Sequence, residues 1–262
     1  FASTIDAEGN MNLAPFSFFN AIGSNPPMVI FSPARSGRDN TTKHTLDNAD
    51  AMKEVVINIV NYPIVQQMSL ASSAYPKGVN EFVKAGLTPI PSELVKPFRV
   101  KESIVQMECK VRDIIRTGET GGAGNIIICE IVLMHIDESI LDENGRPDPY
   151  KMDLVARMGG EYYCRVIPES IFALAQPKDG SALGIDKLPE YIRNSSILTG
   201  NNLGQLGVFA HHPTKEEVEA IVHLMRHHMS WQEIELQAKI LIDKGEAWEG
   251  FKVLMLKSYQ LV

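Results

Sequence analysis

Two long apolar runs, Val100–Ile115 and Ile126–Ile136, constrain the fold of this chain more than any other feature. Both are rich in β-branched residues, and the glycine-rich connection Thr117–Asn125 lies between them. Such a connection is typical of an antiparallel hairpin, and we expect its tip to be flexible. Because Glu130 is the only charged residue of the second run, that strand needs cover on both faces, as inside a barrel or at an interface.

The rest of the chain up to Pro189 also has a mainly β pattern. Two segments are exceptions, since Pro63–Ala74 has helical spacing and a short helix over Asn80–Ala85 is expected to end at Gly86. Apolar runs bounded by polar residues, Pro or Gly predict the further strands, which are Phe1–Ile5, Met28–Phe31, Val55–Val60 and Tyr162–Val166.

The pattern after Pro189 is helical. Thr214–Glu217 and Ser230–Glu233 are capping boxes, in which a hydroxyl and a carboxylate satisfy unpaired amides at a helix start. Apolar residues at helical spacing follow each box, and a third helical piece spans Trp248–Tyr259. We therefore predict a β domain over residues 1–189 and a helical extension over 190–262 that packs on that domain or on a dimer partner.

Composition excludes several functional classes. A net charge of −7 argues against binding of nucleic acid or of an acidic membrane surface. No apolar run reaches the ~20 residues that a membrane-spanning helix needs. The cysteines form no CxxC pair, so we expect buried, reduced thiols and a cytoplasmic location; they are Cys109, Cys129 and Cys164.

Histidines cluster in the helical part, at His211–His212 and at His223, His227 and His228. His223 and His227 would share one face of a helix, which is a spacing that metal sites use. The chain has no HExxH motif, however, and Met225 and Arg226 lie inside the spacing. We expect a solvated or interface helix and no metal site.

The segment Asn12–Asn20 combines small residues with three phenylalanines and Pro15. Proline removes a backbone donor and interrupts regular strand pairing. A planar aromatic ligand needs such a place, where main-chain N–H groups lie beside apolar walls. The alternative is a bulged strand edge with no ligand.

The segment Ser32–Asn48 places Arg35, Arg38 and Lys43 among several hydroxyl residues, although the protein as a whole is acidic. Phosphate recognition uses this mixture of cations and hydroxyl donors. A short helix starting at Thr45 or Asp47 would add a terminus that favours an anion. The alternative is a solvated loop.

Together these segments resemble the flavin reductase-like family, whose members bind FMN or FAD in a split β-barrel. The family opens with a strand, a D-x-x-G turn and N-x-A-P-[FY]-S, continues with an N-P-P step and K-D-T-x-x-N, and then has V-V-N. His44 replaces the usual acidic residue, which argues against an ion pair from that position. The matching positions are Asp6, Gly9, Asn12–Ser17, Asn25–Pro27, Lys43–Asn48 and Val56–Asn58, and the resemblance covers Phe1–Val166 and extends through Gly184–Pro189.

The resemblance implies a Greek-key-like split barrel with α-helices, and it implies residue roles. The backbone of Ala14–Phe18 would line the isoalloxazine, the basic segment would hold the phosphate, and Arg157–Tyr162 would lie beside flavin and nicotinamide. It implies no catalytic side chain, because hydride goes to flavin N5. The implied cofactor-binding residues are Asn12, Ala14, Pro15, Phe16, Ser17, Phe18, Ser32, Arg35, Arg38, Lys43, Thr45, Asn48, Arg157, Gly160 and Tyr162.

The expected function is that of a homodimeric NADH- or NADPH-dependent flavin reductase, which could supply reduced flavin to a separate monooxygenase. Two alternatives remain open at this point. One is a flavoredoxin-like electron carrier that receives electrons from a protein partner. The other is a split-barrel module that binds a ligand without catalysing a reaction.

Overall fold

The computed structural model describes residues 1–174, 176–177, 180–224 and 229–261. The chain forms two compact units, Phe1–Phe172 and Ala173–Val262. The boundary therefore lies earlier in the chain than the predicted one at residue 189. The physical reason is that Leu188 and Leu183 belong to the hydrophobic cluster of the helical unit.

A seven-stranded sheet forms the body of the first unit, and every strand pairing in it is antiparallel. Two further pairs of strands, Pro89–Ile90 with Arg99–Val100 and Val155–Gly159 with Tyr162–Arg165, form small separate sheets. The strands are β1 (Ala2–Ile5), β2 (Met11–Ala14), β3 (Phe19–Ser24), β4 (Pro27–Phe31), β5 (Glu54–Asn58), β6 (Pro89–Ile90), β7 (Arg99–Val100), β8 (Val105–Arg116), β9 (Asn125–Ile136), β10 (Val155–Gly159) and β11 (Tyr162–Arg165). The order in the large sheet is β2-β1-β5-β8-β9-β4-β3.

The hairpin β8–β9 confirms the strongest expectation from the sequence, with a register from Val105–Ile136 to Arg116–Asn125. One face of the hairpin is buried in the main core of this unit, where Cys109 and Cys129 lie. Burial raises the pKa of the Cys129 thiol to about 12, so this thiol stays protonated. The expectation of buried thiols holds for these two and is wrong for Cys164, which is exposed on β11.

Short helices complete the first unit. The helix Glu81–Ala85 ends at Gly86, which adopts the left-handed conformation (φ 63°) that was predicted for that residue. The α-helices are α1 (His44–Met52), α2 (Val65–Ala71), α3 (Glu81–Ala85) and α4 (Pro149–Met152), and single 3-10 turns span Tyr62–Ile64, Glu138–Ile140 and Pro168–Ser170.

The second unit is helical, as predicted, with its own hydrophobic core. Both predicted capping boxes are present, at Thr214 and at Ser230. Gly250 allows close packing of the two longest helices of this unit, because a Cβ there would lie 2.8 Å from the Ala238 carbonyl oxygen. The α-helices are α5 (Glu190–Arg193), α6 (Gly200–Gly207), α7 (Lys215–Glu219), α8 (Trp231–Asp243) and α9 (Ala247–Met255), and 3-10 turns span Ile185–Lys187 and Val222–Leu224.

The structure describes only part of the chain on which the expectations about a metal site and a membrane-spanning helix depend. His227 and His228 lie outside the described residues, and within the described ranges no group of three metal-ligating side chains occurs. Among the helices of those same ranges, none has the length and apolar character that crossing a bilayer requires.

Candidate functional site

The residues after β2 lie directly against the start of the basic segment. Pro15 follows the last residue of the strand, and the Phe16 ring packs on Phe31 with 5.5 Å between ring centroids. The Ser32 amide donates to the Phe18 carbonyl at 2.9 Å. The fold therefore brings together the two segments that the sequence singled out. We call Ala14–Phe18 the ring segment and Ser32–Lys43 the basic loop.

The ring segment presents a run of backbone donors. Throughout the part of the chain that the structure describes, the amides of Phe16, Ser17 and Phe18 donate no hydrogen bond within the protein. Ser17 is exposed, and so is Phe18, at 69%. Donors beside apolar rings are what the polar edge of a planar aromatic ligand requires.

A buried cluster lies beneath the start of α1. Asn12 donates from Nδ2 to the hydroxyls of Thr4 and Thr45, at 3.2 and 2.9 Å, and Asn48 donates to the Thr4 hydroxyl at 3.1 Å. Each of these side chains is buried, and Thr45 is only 1% exposed. The cluster thus fixes β1, β2 and α1 to one another, and three of the predicted binding side chains are engaged within it. Sequence reasoning missed Thr4, whose hydroxyl is the acceptor that Asn12 and Asn48 share.

The basic loop is closed by its own hydrogen bonds. The Ser36 amide donates to the Thr41 carbonyl at 2.9 Å, and the Asn40 amide donates to the Ser36 carbonyl at 3.0 Å. The Arg35 guanidinium donates to the carbonyl and to the side chain of Asn40, both at 2.7 Å. Arg35 therefore stabilises the turn, and two of its guanidinium N–H donors are engaged inside the loop.

An aspartate lies in the middle of this turn. The Asp39 carboxylate accepts from the Thr41 hydroxyl at 2.8 Å and from the Thr41 amide at 3.2 Å. Hydrogen bonds from the Ser36 and Thr41 hydroxyls lower the pKa of Asp39 to about 2, so it is ionised at neutral pH. Sequence reasoning treated this residue only as part of a basic segment.

Two cations of the loop remain available. Arg38 and Lys43 are exposed, and in the described ranges neither side chain has a hydrogen-bonding or ion-pair partner. Lys43 is also the N-cap residue of α1, which begins at His44 rather than at the predicted Thr45 or Asp47. Lys43 therefore lies at the positive end of a nine-residue helix.

The glycine-rich turn between β8 and β9 packs on the basic loop. The Arg35 amide donates to the Ala123 carbonyl at 2.9 Å, and the Gly122 amide donates to the Arg35 carbonyl at 3.1 Å. A Cβ at Gly121 would lie 2.9 Å from the Ser36 carbonyl oxygen, so only glycine permits this approach. The tip therefore supports the loop, and its expected flexibility stays a prediction.

A buried carboxylate covers the edge of β2. Glu81 of α3 is 5% exposed, and its Oε2 accepts from the Leu13 amide at 3.0 Å. Burial raises the pKa of Glu81 above its ordinary value. This contact satisfies a donor at the sheet edge immediately before the ring segment.

The third predicted region forms the hairpin β10–β11. Arg157 donates from Nη2 to the Gly160 carbonyl at 2.8 Å, and Tyr162 is 78% exposed. Arg165 anchors the hairpin, because it donates to both Asp153 oxygens at 2.7 and 2.9 Å and lies 3.7 Å from the centroid of the Tyr62 ring. No hydrogen bond of the described residues joins this hairpin to the ring segment or to the basic loop.

Comparison with known proteins gives consistent matches to one family. Residues 1–153 match the family described as Flavin reductase like domain. An uncharacterized protein of Aquifex aeolicus is 37% identical over 169 residues, which is 64% of this chain and 84% of that protein. An uncharacterized protein of Bacillus subtilis is 28% identical over 68% of this chain and 86% of its own length.

Comparison with solved structures gives matches of the same kind. Nitrilotriacetate monooxygenase component B from Bacillus cereus is 30% identical with a TM-score of 0.61, over 66% of this chain and 85% of that chain. The 2-nitrobenzoate 2-nitroreductase of Pseudomonas fluorescens is 27% identical with a TM-score of 0.59, over 68% and 83%. A flavin reductase candidate with a split barrel domain from Shewanella frigidimarina is 29% identical with a TM-score of 0.57, over 66% and 84%. The predicted split-barrel fold and the predicted resemblance are confirmed.

Proposed function

Because the chain belongs to the flavin reductase-like family, which supports a flavin-related oxidoreductase role, we propose that it is an FMN-dependent NAD(P)H:flavin reductase. One observation carries the proposal. The Phe18–Ser32 hydrogen bond and the Phe16–Phe31 ring contact place a run of unused amides beside Ser32, the first residue of the loop that carries the two available cations. The two ends of FMN, a polar ring edge and a phosphate, require these two groups of donors.

The residues fit the cofactor in distinct ways. Bound flavin would supply the redox chemistry by accepting hydride from NADH or NADPH at N5. The amides of the ring segment and the Ser17 hydroxyl would orient the ring, with Ala14 and Pro15 at its edge. Lys43 and Arg38 would bind the phosphate, and Ser32 would hold the start of the loop, since its hydroxyl accepts from the Asn125 amide at 3.1 Å.

The buried predicted residues receive a positioning role. Asn12, Thr45 and Asn48 share the hydrogen bonds of the buried cluster, so their side chains fix α1 relative to β2. Their contribution to cofactor binding is to place Lys43 and the first amides of α1. FAD is an alternative occupant, because the phosphate-binding group would be the same.

The nicotinamide would approach from the exposed side of the site. Arg157, Gly160 and Tyr162 lie on the β10–β11 hairpin, where Met158 and Tyr162 are also exposed. Exposed aromatic and apolar side chains fit the stacking surface that a nicotinamide ring needs. The placement of these residues beside the flavin is part of the proposal.

A second copy of the chain would complete the site. Every residue of the edge strand β3 is exposed, and natural proteins usually cover such an edge. The apolar side chains Phe18, Ile22 and Ile115 are 69%, 50% and 47% exposed. A homodimer would bury these side chains and would also cover the half-buried second face of β9.

The 30% sequence identity with nitrilotriacetate monooxygenase component B favours one fate for the reduced flavin. We propose that reduced flavin leaves the protein for a separate monooxygenase component. An electron carrier that takes electrons from a protein partner is the second candidate, and the experiment below separates the two. The expected cytoplasmic location stays a prediction.

The test is an anaerobic titration of the FMN-loaded full chain with NADH and then NADPH, followed by flavin absorbance. Rapid loss of the oxidised flavin spectrum with either nucleotide is expected. Flavin that binds and stays oxidised with both would favour the electron carrier. A chain that binds no flavin would contradict the proposal.

A further inference from the structure

We propose that Asp39 determines how strongly the basic loop retains a flavin phosphate, because its carboxylate competes with that phosphate for the loop's donors. The inference rests on the proposed function and deepens it. Its consequence is that the loop holds FMN more weakly than its two available cations alone would hold it.

The first step is the occupancy of the donors. The Asp39 carboxylate accepts from the Thr41 hydroxyl at 2.8 Å and from the Thr41 amide at 3.2 Å. Hydroxyls and amides in a closed turn are the donors that otherwise bind a phosphate. An internal anion therefore already occupies part of the donor set of this loop.

The second step is the charge balance. In the described ranges no cation pairs with Asp39, and the Arg35 guanidinium is directed to Asn40 instead. Asp47, the next carboxylate along the chain, accepts from the Thr42 hydroxyl at 3.3 Å. The charge of Asp39 is therefore not neutralised within the turn, and a phosphate held by Arg38 and Lys43 would be repelled by it.

The third step is selectivity. Repulsion from Asp39 acts on the dianionic phosphate of FMN and not on riboflavin, which lacks that group. Removing the carboxylate charge should thus strengthen FMN binding while leaving riboflavin binding unchanged. A residue that served only to shape the turn would alter both ligands or would weaken FMN.

The experiment measures the Kd of FMN and of riboflavin for the full-length protein and for Asp39→Asn by isothermal titration calorimetry. Asparagine suits such turns and keeps an acceptor for the Thr41 amide. We expect the Kd of FMN to fall by about 3- to 10-fold and that of riboflavin to stay constant. The affinity of the variant for FMN should also decline more steeply with added salt.

Asp142→Asn is the matched control, because it changes the net charge equally. Asp142 also accepts backbone hydrogen bonds in an exposed turn, from the amides of Asn144 and Arg146 at 2.8 Å each. The control should leave both Kd values unchanged. If Asp39→Asn does not fold, Asp39→Ser provides the same removal of charge.

The outcomes separate the inference from its premise. An unchanged or weaker affinity for FMN in the Asp39 variants, or an equal gain for riboflavin, would overturn the inference and leave the proposed function standing. Absence of FMN binding in both the wild type and the variants would overturn the proposed function as well.

Discussion

The buried cluster of Thr4, Asn12, Thr45 and Asn48 and the exposed basic loop lie on either side of the start of α1, and both are built from hydroxyl and amide side chains. In the cluster these groups are shielded from water and bond one another. In the loop, Thr41 is exposed, and both its hydroxyl and its amide donate to the Asp39 carboxylate. If the proposed roles hold, the difference in burial, more than residue type, distinguishes residues that position the site from residues that bind a ligand, since a ligand can reach only exposed donors.

The sharpest prediction from this comparison concerns Lys43. Lys43→Ala should weaken FMN binding by ~1.5–3 kcal/mol, because a charge-assisted contact with phosphate is lost. Fluorescence titration with FMN and with riboflavin measures the effect, which should be much smaller for riboflavin. The free energy of unfolding should change little, because the side chain is exposed.

Lys101→Ala is the matched control for that experiment, since Lys101 is an exposed lysine in the turn before β8. It should leave the affinity for both flavins unchanged. Equal FMN affinity in wild type and Lys43→Ala would remove Lys43 from the phosphate site.

The second prediction tests the comparison itself, with one threonine substitution in the buried cluster and one in the basic loop. Thr4→Val keeps the shape of the side chain and leaves the Asn48 amide without its acceptor in a buried place, at a cost of about 1–3 kcal/mol in the free energy of unfolding. Thr41→Val removes an exposed hydroxyl whose place water can take, at a cost below about 0.5 kcal/mol. Chemical denaturation of the two variants measures both values.

Equal costs for these two threonine variants would break the comparison. A large cost at Thr41 would mean that the loop is a structural element in its own right. A small cost at Thr4 would mean that the buried cluster opens readily to water.

Sequence patterns predicted those features that short stretches of chain determine. The hairpin β8–β9, the left-handed Gly86 and both capping boxes follow from neighbouring residues, and the structure has each of them. The motif segments were likewise found, because their residue types are contiguous. The fold adds that these segments touch, which a single sequence does not reveal.

The features that were missed depend on contacts between residues far apart in the chain. Thr4 and Asn48 are 44 residues apart, and Leu13 and Glu81 are 68 apart. The support that the glycine-rich turn gives to the basic loop joins residues 35 and 122. No local pattern encodes such pairs, so neither the burial of Thr45 nor the role of Glu81 could be predicted from the sequence.

The smallest predicted effect concerns Glu81, which belongs with the buried side of the comparison. Burial raises its pKa above the ordinary value of 4.5 in the folded protein, so the folded state holds the proton more tightly than the unfolded state does. Stability from this group is therefore fully present below pH 4.5 and is lost as pH rises through the folded pKa. Glu81→Gln retains an acceptor for the Leu13 amide, and because glutamine does not ionise, this variant does not lose that stability as pH rises.

The stability of Glu81→Gln relative to wild type should thus increase from pH 4 to pH 7, by about 1 kcal/mol or less in the free energy of unfolding. Urea denaturation at several pH values measures the difference, and the other carboxylates cancel because both proteins contain them. Parallel pH profiles would show that water reaches the Glu81 carboxylate. The edge of β2 would then resemble the exposed basic loop rather than the buried cluster. The contrast between buried and exposed polar groups would therefore not apply to the residues just before the ring segment.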